Sequence, residues 1–278
     1  MGKFFTNIIR GIVMRFQKKI NPYYKKAGLS WFKIKYLKHL PYNHRGVYNL
    51  NGTKIHFTNG PELLHSLEEI FVSDIYNIQF DKPNPYIIDC GANIGLATIY
   101  LKKRYPDAKI IAFEPDINNF DLLKKNTSQQ NWKDIELRME AIWKEDTTLN
   151  FIVEGTMGSK IASNPNSDVE YVQVKACRLR NFLNRNVDFV KLDIEGAEYE
   201  VLKDCADLLN QVDYLFIEFH GHFSKMFELN SIFEIVSKAG FSYYIKEATS
   251  VFETPFNRKE TSIQYDLQLN IFCFKYPN

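Results

Sequence analysis

From Tyr86 onward, short apolar runs alternate with longer stretches of helical periodicity. Tyr86–Asp89, Lys109–Phe113, Ile135–Met139, Leu149–Val153, Tyr171–Ala176, Phe189–Leu192 and Tyr214–Phe219 read as strands. Ile94–Arg104, Asp116–Gln129, Glu198–Leu209 and Ser224–Ala239 read as helices, with Asp116 as an N-cap and Gly240 closing the last. Ser242–Ile245 and Leu269–Phe274 supply final strands. Runs such as Ile87-Ile88-Asp89 and Leu215-Phe216-Ile217-Glu218 are apolar on both faces, as parallel strands covered by helices require. The expected core is α/β, a doubly wound, mostly parallel sheet over residues 81–278. Upstream, Val47–Leu50 and Lys54–Phe57 flank Asn51-Gly52, a hairpin signal, and Pro61–Asn77 looks helical.

The first 45 residues form a different segment. Phe4, Ile8, Ile12, Phe16 and Ile20 recur every fourth residue, an amphipathic pattern ended by Asn21-Pro22. Trp31–Lys38 then interleaves aromatics with lysines. A formal charge of +2 hides this asymmetry: the first 61 residues hold twelve basic residues and no acid, whereas the remaining 217 hold 23 basic and 33 acidic ones. Such a leader suits an anionic membrane surface through residues 1–40, packing on the core or a subunit, or, third, nucleic acid phosphates. No apolar run approaches the roughly 18–20 residues of a membrane-spanning helix. Arg10 and Arg15 interrupt the only apolar stretch near the start, so no signal peptide is expected. Cys90, Cys177, Cys205 and Cys273 are widely spaced in apolar settings, which argues against a zinc module and a disulfide framework. A cytoplasmic protein, peripheral on the inner face of a membrane, is the expectation.

Ligands of such sheets bind at the carboxyl ends of the strands. The first end is Asp89-Cys90-Gly91-Ala92-Asn93-Ile94-Gly95, with two glycines where a nicotinamide fingerprint has three. Asp89 is placed to accept from an ammonium or loop amides, which suits a ligand with an amino-acid end and a ribose. Glu114-Pro115 follows Gly91 by 23 residues, the position of a ribose-binding carboxylate. Glu140-Ala141 ends the third strand, where an adenine edge would lie. Asp193 and Glu195 end one strand, and Glu218 and His220 end what is expected to be its neighbour. His220 suits general base work, and Asp193 either orients it, takes the proton itself, or shares a divalent cation such as magnesium with Glu195 and Glu218.

Tyr86–Gly95, Ala112-Phe-Glu-Pro115, Gly158-Ser159 and Val190-Lys-Leu-Asp-Ile-Glu-Gly-Ala-Glu198 together resemble the FkbM family of S-adenosylmethionine-dependent methyltransferases. The resemblance runs from about Val47 to the C-terminus and leaves the basic leader out. It implies a class I methyltransferase fold with a seven-stranded sheet, S-adenosylmethionine as donor, and methyl transfer to a hydroxyl oxygen. Asp89, Gly91, Ala92, Asn93 and Gly95 match the donor loop, Glu114 and Pro115 the ribose turn, and Glu140 with Ala141 the adenine side, with Asp193 reaching the donor as well. His220, Asp193 and Glu218 are the catalytic candidates, and Gly155–Asp168 is a candidate cover loop. The acceptor is expected to be a small molecule or glycan, a sugar of a cell-surface glycan or lipid-linked precursor. The rivals are a nucleic-acid methyltransferase and a non-catalytic membrane-surface adaptor. Against the first, the fourth strand ends in Asp193-Ile-Glu-Gly, not the D/N/S-P-P-aromatic motif of amino-directed enzymes.

Overall fold

The computed structural model describes residues 24–25, 27–152, 171–258 and 264–275. The expected leader helix over 4–20 and the expected loop 155–168 lie outside them. The chain forms two compact units. One takes in the described residues up to Asp81 together with 94–106 and 121–132; the other comprises 82–93, 107–120 and 133 onward.

In the first unit, α1 (Trp31–Lys38) precedes a hairpin of β1 (Gly46–Leu50) and β2 (Thr53–Phe57), then α2 (Gly60–Leu67). Asn51 and Gly52 both take positive φ, 49° and 91°, the tight two-residue turn their sequence calls for. The helix expected to run to Asn77 changes to a π turn over Glu68–Val72 after α2. Residues from Ala27 onward fold against this unit: Ala27 and Leu37 are buried and the Tyr48 hydroxyl donates to Ala27 O at 3.0 Å. Ile34 and Leu37 give α1 an apolar face of its own. The unit is completed by α3 (Leu96–Arg104), capped by Gly95, and the latter part of α4 (Ile117–Thr127), where Asn126 Nδ2 donates to Ile94 O at 2.8 Å.

The second unit holds the seven-stranded sheet. It contains β3 (Tyr86–Cys90), β4 (Lys109–Phe113), β5 (Ile135–Arg138), β9 (Val187–Leu192), β10 (Val212–Gly221), β11 (Ser242–Thr249) and β12 (Leu267–Phe274). Their spatial order is β11-β12-β10-β9-β3-β4-β5, parallel except for β12, which pairs antiparallel with both neighbours. This is the doubly wound, mostly parallel α/β sheet expected from the sequence. On β9 and β10 the buried Val190, Leu192, Leu215 and Ile217 join Val201 and Leu202 of α5 (Glu198–Asp204) and Ile232 and Val236 of α6 (Met226–Lys238) in one apolar cluster. Each such side chain contributes about 1.5–3 kcal/mol relative to exposure. All four cysteines are free and buried, as small hydrophobes in the core.

Two expected strands leave this sheet. β7 (Thr147–Ile152) and β8 (Tyr171–Arg178) pair with a three-residue strand, β6 (Ala141–Trp143), in a separate sheet. β8 alternates buried Val174 and Ala176 with exposed Gln173 and Lys175, the pattern of a strand with one wet face. Among the described residues, no helix is long and apolar enough to cross a membrane.

Candidate active site

The sheet order reverses between β3 and β9, so a crevice opens at their carboxyl ends. There the chain turns through Gly91 at φ 82°, and a Cβ on Gly91 would lie 1.8 Å from the Asp193 carbonyl oxygen. Only glycine permits that approach. The Gly91 and Ala92 amides both donate to Phe113 O, at 3.0 and 2.8 Å, and Asp193 N donates to Cys90 O at 3.1 Å. The three strand ends are thereby stitched together.

Glu114, at the end of β4, is 6% exposed. One oxygen accepts from Asn93 N at 2.8 Å and the other from Asp116 N at 2.9 Å, which leaves further acceptor positions on both. Burial pushes its carboxyl up to about 7, with the two amides and Lys191 pulling the other way. Glu140 is fixed by Arg138 Nε at 2.6 Å, and that bond holds its carboxyl below the usual range.

Beneath the turn lies Lys191, 4% exposed near the end of a fully buried strand. Its ammonium donates to Gly91 O at 2.8 Å and Asp193 Oδ2 at 3.0 Å, and sits 3.5 Å from the fully buried Asp89. Asp89 therefore braces the Gly91 turn through Lys191, and it does not line the cavity.

The loop after β9 is held by Glu198, 1% exposed, which accepts from Ile194 N at 3.2 Å, Gly196 N at 3.0 Å and His220 Nδ1 at 3.3 Å. The Tyr265 ring lies tilted against the His220 ring at 4.8 Å, and its hydroxyl donates to Glu195 O at 2.8 Å. Burial lowers the basicity of His220. The hydrogen bond and charge of Glu198, with the charges of Glu195 and Asp193, outweigh that and raise its pKa to about 10. Glu195 is pushed upward by its own burial, His220 opposing, while Asp193 and Glu198 add to the rise.

A cavity of about 470 Å³ spans these ends. Of the residues expected from sequence, Gly91, Asn93, Glu114, Pro115, Glu140, Ala141, Asp193, Glu195 and His220 line it. Asp89, Ala92, Gly95 and Glu218 do not. One expectation changes. The cation set foreseen from Asp193, Glu195 and Glu218 is not the one assembled: Asp193, Glu195 and His220 lie within 4.8 Å of one another, with Glu218 outside that group. Within this group Asp193 also accepts from Lys191 at 3.0 Å. Sequence reasoning assigned no role to Lys191, Glu198 or Tyr265. A charge inside an apolar strand and an acid at the first turn of α5 were the available signals for the first two; nothing local marks Tyr265.

The methyltransferase FkbM domain matches residues 89–243, more than half of the chain. The chain is 28% identical over 170 residues to Methyltransferase 1 of Beauveria bassiana, covering 52% of this chain and 68% of that protein. It resembles the crystal structure of methyltransferase FkbM from Methylobacillus flagellatus KT with a TM-score of 0.46 and 15% identity, over 76% of this chain and 54% of that one. It also resembles M. jannaschii TYW2 in complex with AdoMet, with a TM-score of 0.47 and 12% identity, over 85% of this chain and 89% of that one. The chain thus spans about two thirds of the curated relative and about half of the solved FkbM chain.

Proposed function

Because the chain belongs to the FkbM family of methyltransferases, we propose that it methylates a hydroxyl of a neutral, hydroxyl-rich acceptor, a sugar of a cell-surface glycan or lipid-linked precursor. S-adenosylmethionine is the cofactor of this family and fold, and the site fits it: the Gly91 turn allows close backbone approach, and Glu114 keeps open acceptor positions for two hydroxyls. Asn93, Glu114, Glu140 and Ala141 would hold it. When bound, it supplies an activated methyl carbon on a sulfonium.

The residues must then align the acceptor and remove its proton. The observation that carries this reading is the Asp193 carboxylate, lining the cavity at the switch point and anchored by Lys191 at 3.0 Å. Asp193 takes the hydroxyl proton, and His220, already charged, keeps Glu195 and Glu198 in place. Further along the wall, Glu195, Glu200 and Glu228 offer acceptors to sugar hydroxyls, Glu200 and Glu228 paired with Lys144 and Lys225. A labelled donor with a crude glycolipid extract tests the acceptor: label is expected in the glycan or lipid-linked fraction, and label found only elsewhere refutes the sugar. Asp193→Asn tests the base, with an expected loss of about 10²–10⁴-fold in kcat. Full activity in that variant would sink the assignment.

A further inference from the structure

The apolar side chains of α1 point two ways. Ile34 and Leu37 are buried, 8% and 1% exposed, whereas Phe32 and Tyr36, one turn apart on the roughly opposite face, are 76% and 59% exposed. Trp31 at 39% packs edge-on against Phe32 at 5.0 Å, and Tyr42 at 59% follows the helix. Single exposed apolar residues are ordinary, but four large aromatics within twelve residues form a patch. Lys35, Lys38 and Arg45 are exposed beside them. Lys33 is engaged elsewhere, donating to Gly28 O at 2.8 Å and lying 5.0 Å over the Tyr48 ring. The chain has no acidic residue before Glu62, so the surroundings of the patch in sequence are purely basic.

We infer that the exposed aromatic and lysine face of α1 docks on an anionic lipid surface. Aromatic rings settle at headgroup depth while lysines reach lipid phosphates, and the two occur here on one short helix. A partner protein would need a complementary acidic surface, whereas an anionic bilayer supplies both the charge and the apolar layer. The helix itself is anchored through Ile34, Leu37 and the Ser30 cap, which accepts from Lys33 N at 3.3 Å, so the face is presented on a folded element. This inference is independent of the acceptor.

The full chain and two variants, Phe32→Ser/Tyr36→Ser and Lys35→Gln/Lys38→Gln, are sedimented with vesicles of phosphatidylcholine with or without phosphatidylglycerol. The parent chain is expected to partition onto the anionic vesicles and to be released by salt. The aromatic pair should lower partitioning about tenfold, and the lysine pair by about fivefold per cation removed. Melting temperature and donor binding should match the parent, which separates lost docking from misfolding. Variants that partition like the parent overturn the inference. So does a variant that instead loses a dimer mass in sedimentation, or retention on an oligonucleotide, with vesicle binding intact.

Discussion

Lys191→Met keeps the length of a side chain that is 4% exposed and removes only its charge. Three groups lose a cation at once: Gly91 O at 2.8 Å, Asp193 Oδ2 at 3.0 Å and the fully buried Asp89 at 3.5 Å. Breaking a buried ion pair from one side costs about 3–5 kcal/mol, because the remaining charge stays desolvated without its partner. With an unfolding slope near the upper end of the usual range, that is a drop of about 1–2 M in the urea midpoint. Asp89→Asn in the Lys191→Met background should recover part of the loss, since an amide needs no cation. The assay is urea denaturation of the parent, both single variants and the double variant. A loss below about 1 kcal/mol in Lys191→Met would show that Lys191 is not the charge balance of the turn. A double variant as unstable as the sum of the singles would show that Lys191 and Asp89 do not interact.

The remaining expectations concern the cavity. Gly91→Ala forces a Cβ to within 1.8 Å of the Asp193 carbonyl at a φ of 82°, so titration calorimetry should find donor binding abolished; retained affinity would refute the tight turn. Glu114 is the stronger acceptor of hydroxyls when ionised, and its carboxyl is pushed up to about 7, so donor affinity should rise with pH through that value and then level. In Glu114→Gln affinity should be lower and the pH dependence gone, while a flat profile in the parent chain would contradict the assignment. His220, raised from 6.5 to about 10, should show no NMR titration near 6.5. Its stabilising contribution is full below the unfolded value of 6.5 and is lost as pH climbs through about 10, so denaturation midpoints should fall over that window and His220→Asn should flatten the fall.

How far the sequence disclosed the fold depended on which strands are covered on both faces. Ile87-Ile88, Ile110–Phe113, Phe189-Val190 and Leu192 are buried, and the strands built on them begin and end within two residues of expectation. β6 has three residues, too few for a period to register, so its pairing with β8 and the departure of β7 and β8 from the main sheet could not be read. The π turn after α2 was hidden likewise, since Leu63, Leu64, Leu67 and Ile70 keep a near-helical spacing across the change of hydrogen-bond pattern.

At the site, position was legible and protonation was not. Strand-end logic placed Gly91, Glu114, Asp193, Glu195 and His220 around one cavity, because where a parallel strand ends is a local property of the chain. The protonation of His220 is biased by acids on its own strand and on the loop that a long crossover brings to it: Glu198 at 3.3 Å, Glu218 at 3.7 Å, Glu195 at 3.8 Å and Asp193 within the same group. Burial by itself lowers the basicity of the ring, and the hydrogen bond and charge of Glu198, with the charges of Glu195 and Asp193, outweigh it. An isolated strand-end histidine has the opposite expectation. The same asymmetry explains why Lys191 and Glu198 went unassigned: a buried charge is tolerable only with partners, and here those partners sit on other elements of the fold. Asp193, one of the carboxylates lining the cavity, has the Lys191 ammonium to hold it, and on that contact rests its proposed role as proton acceptor.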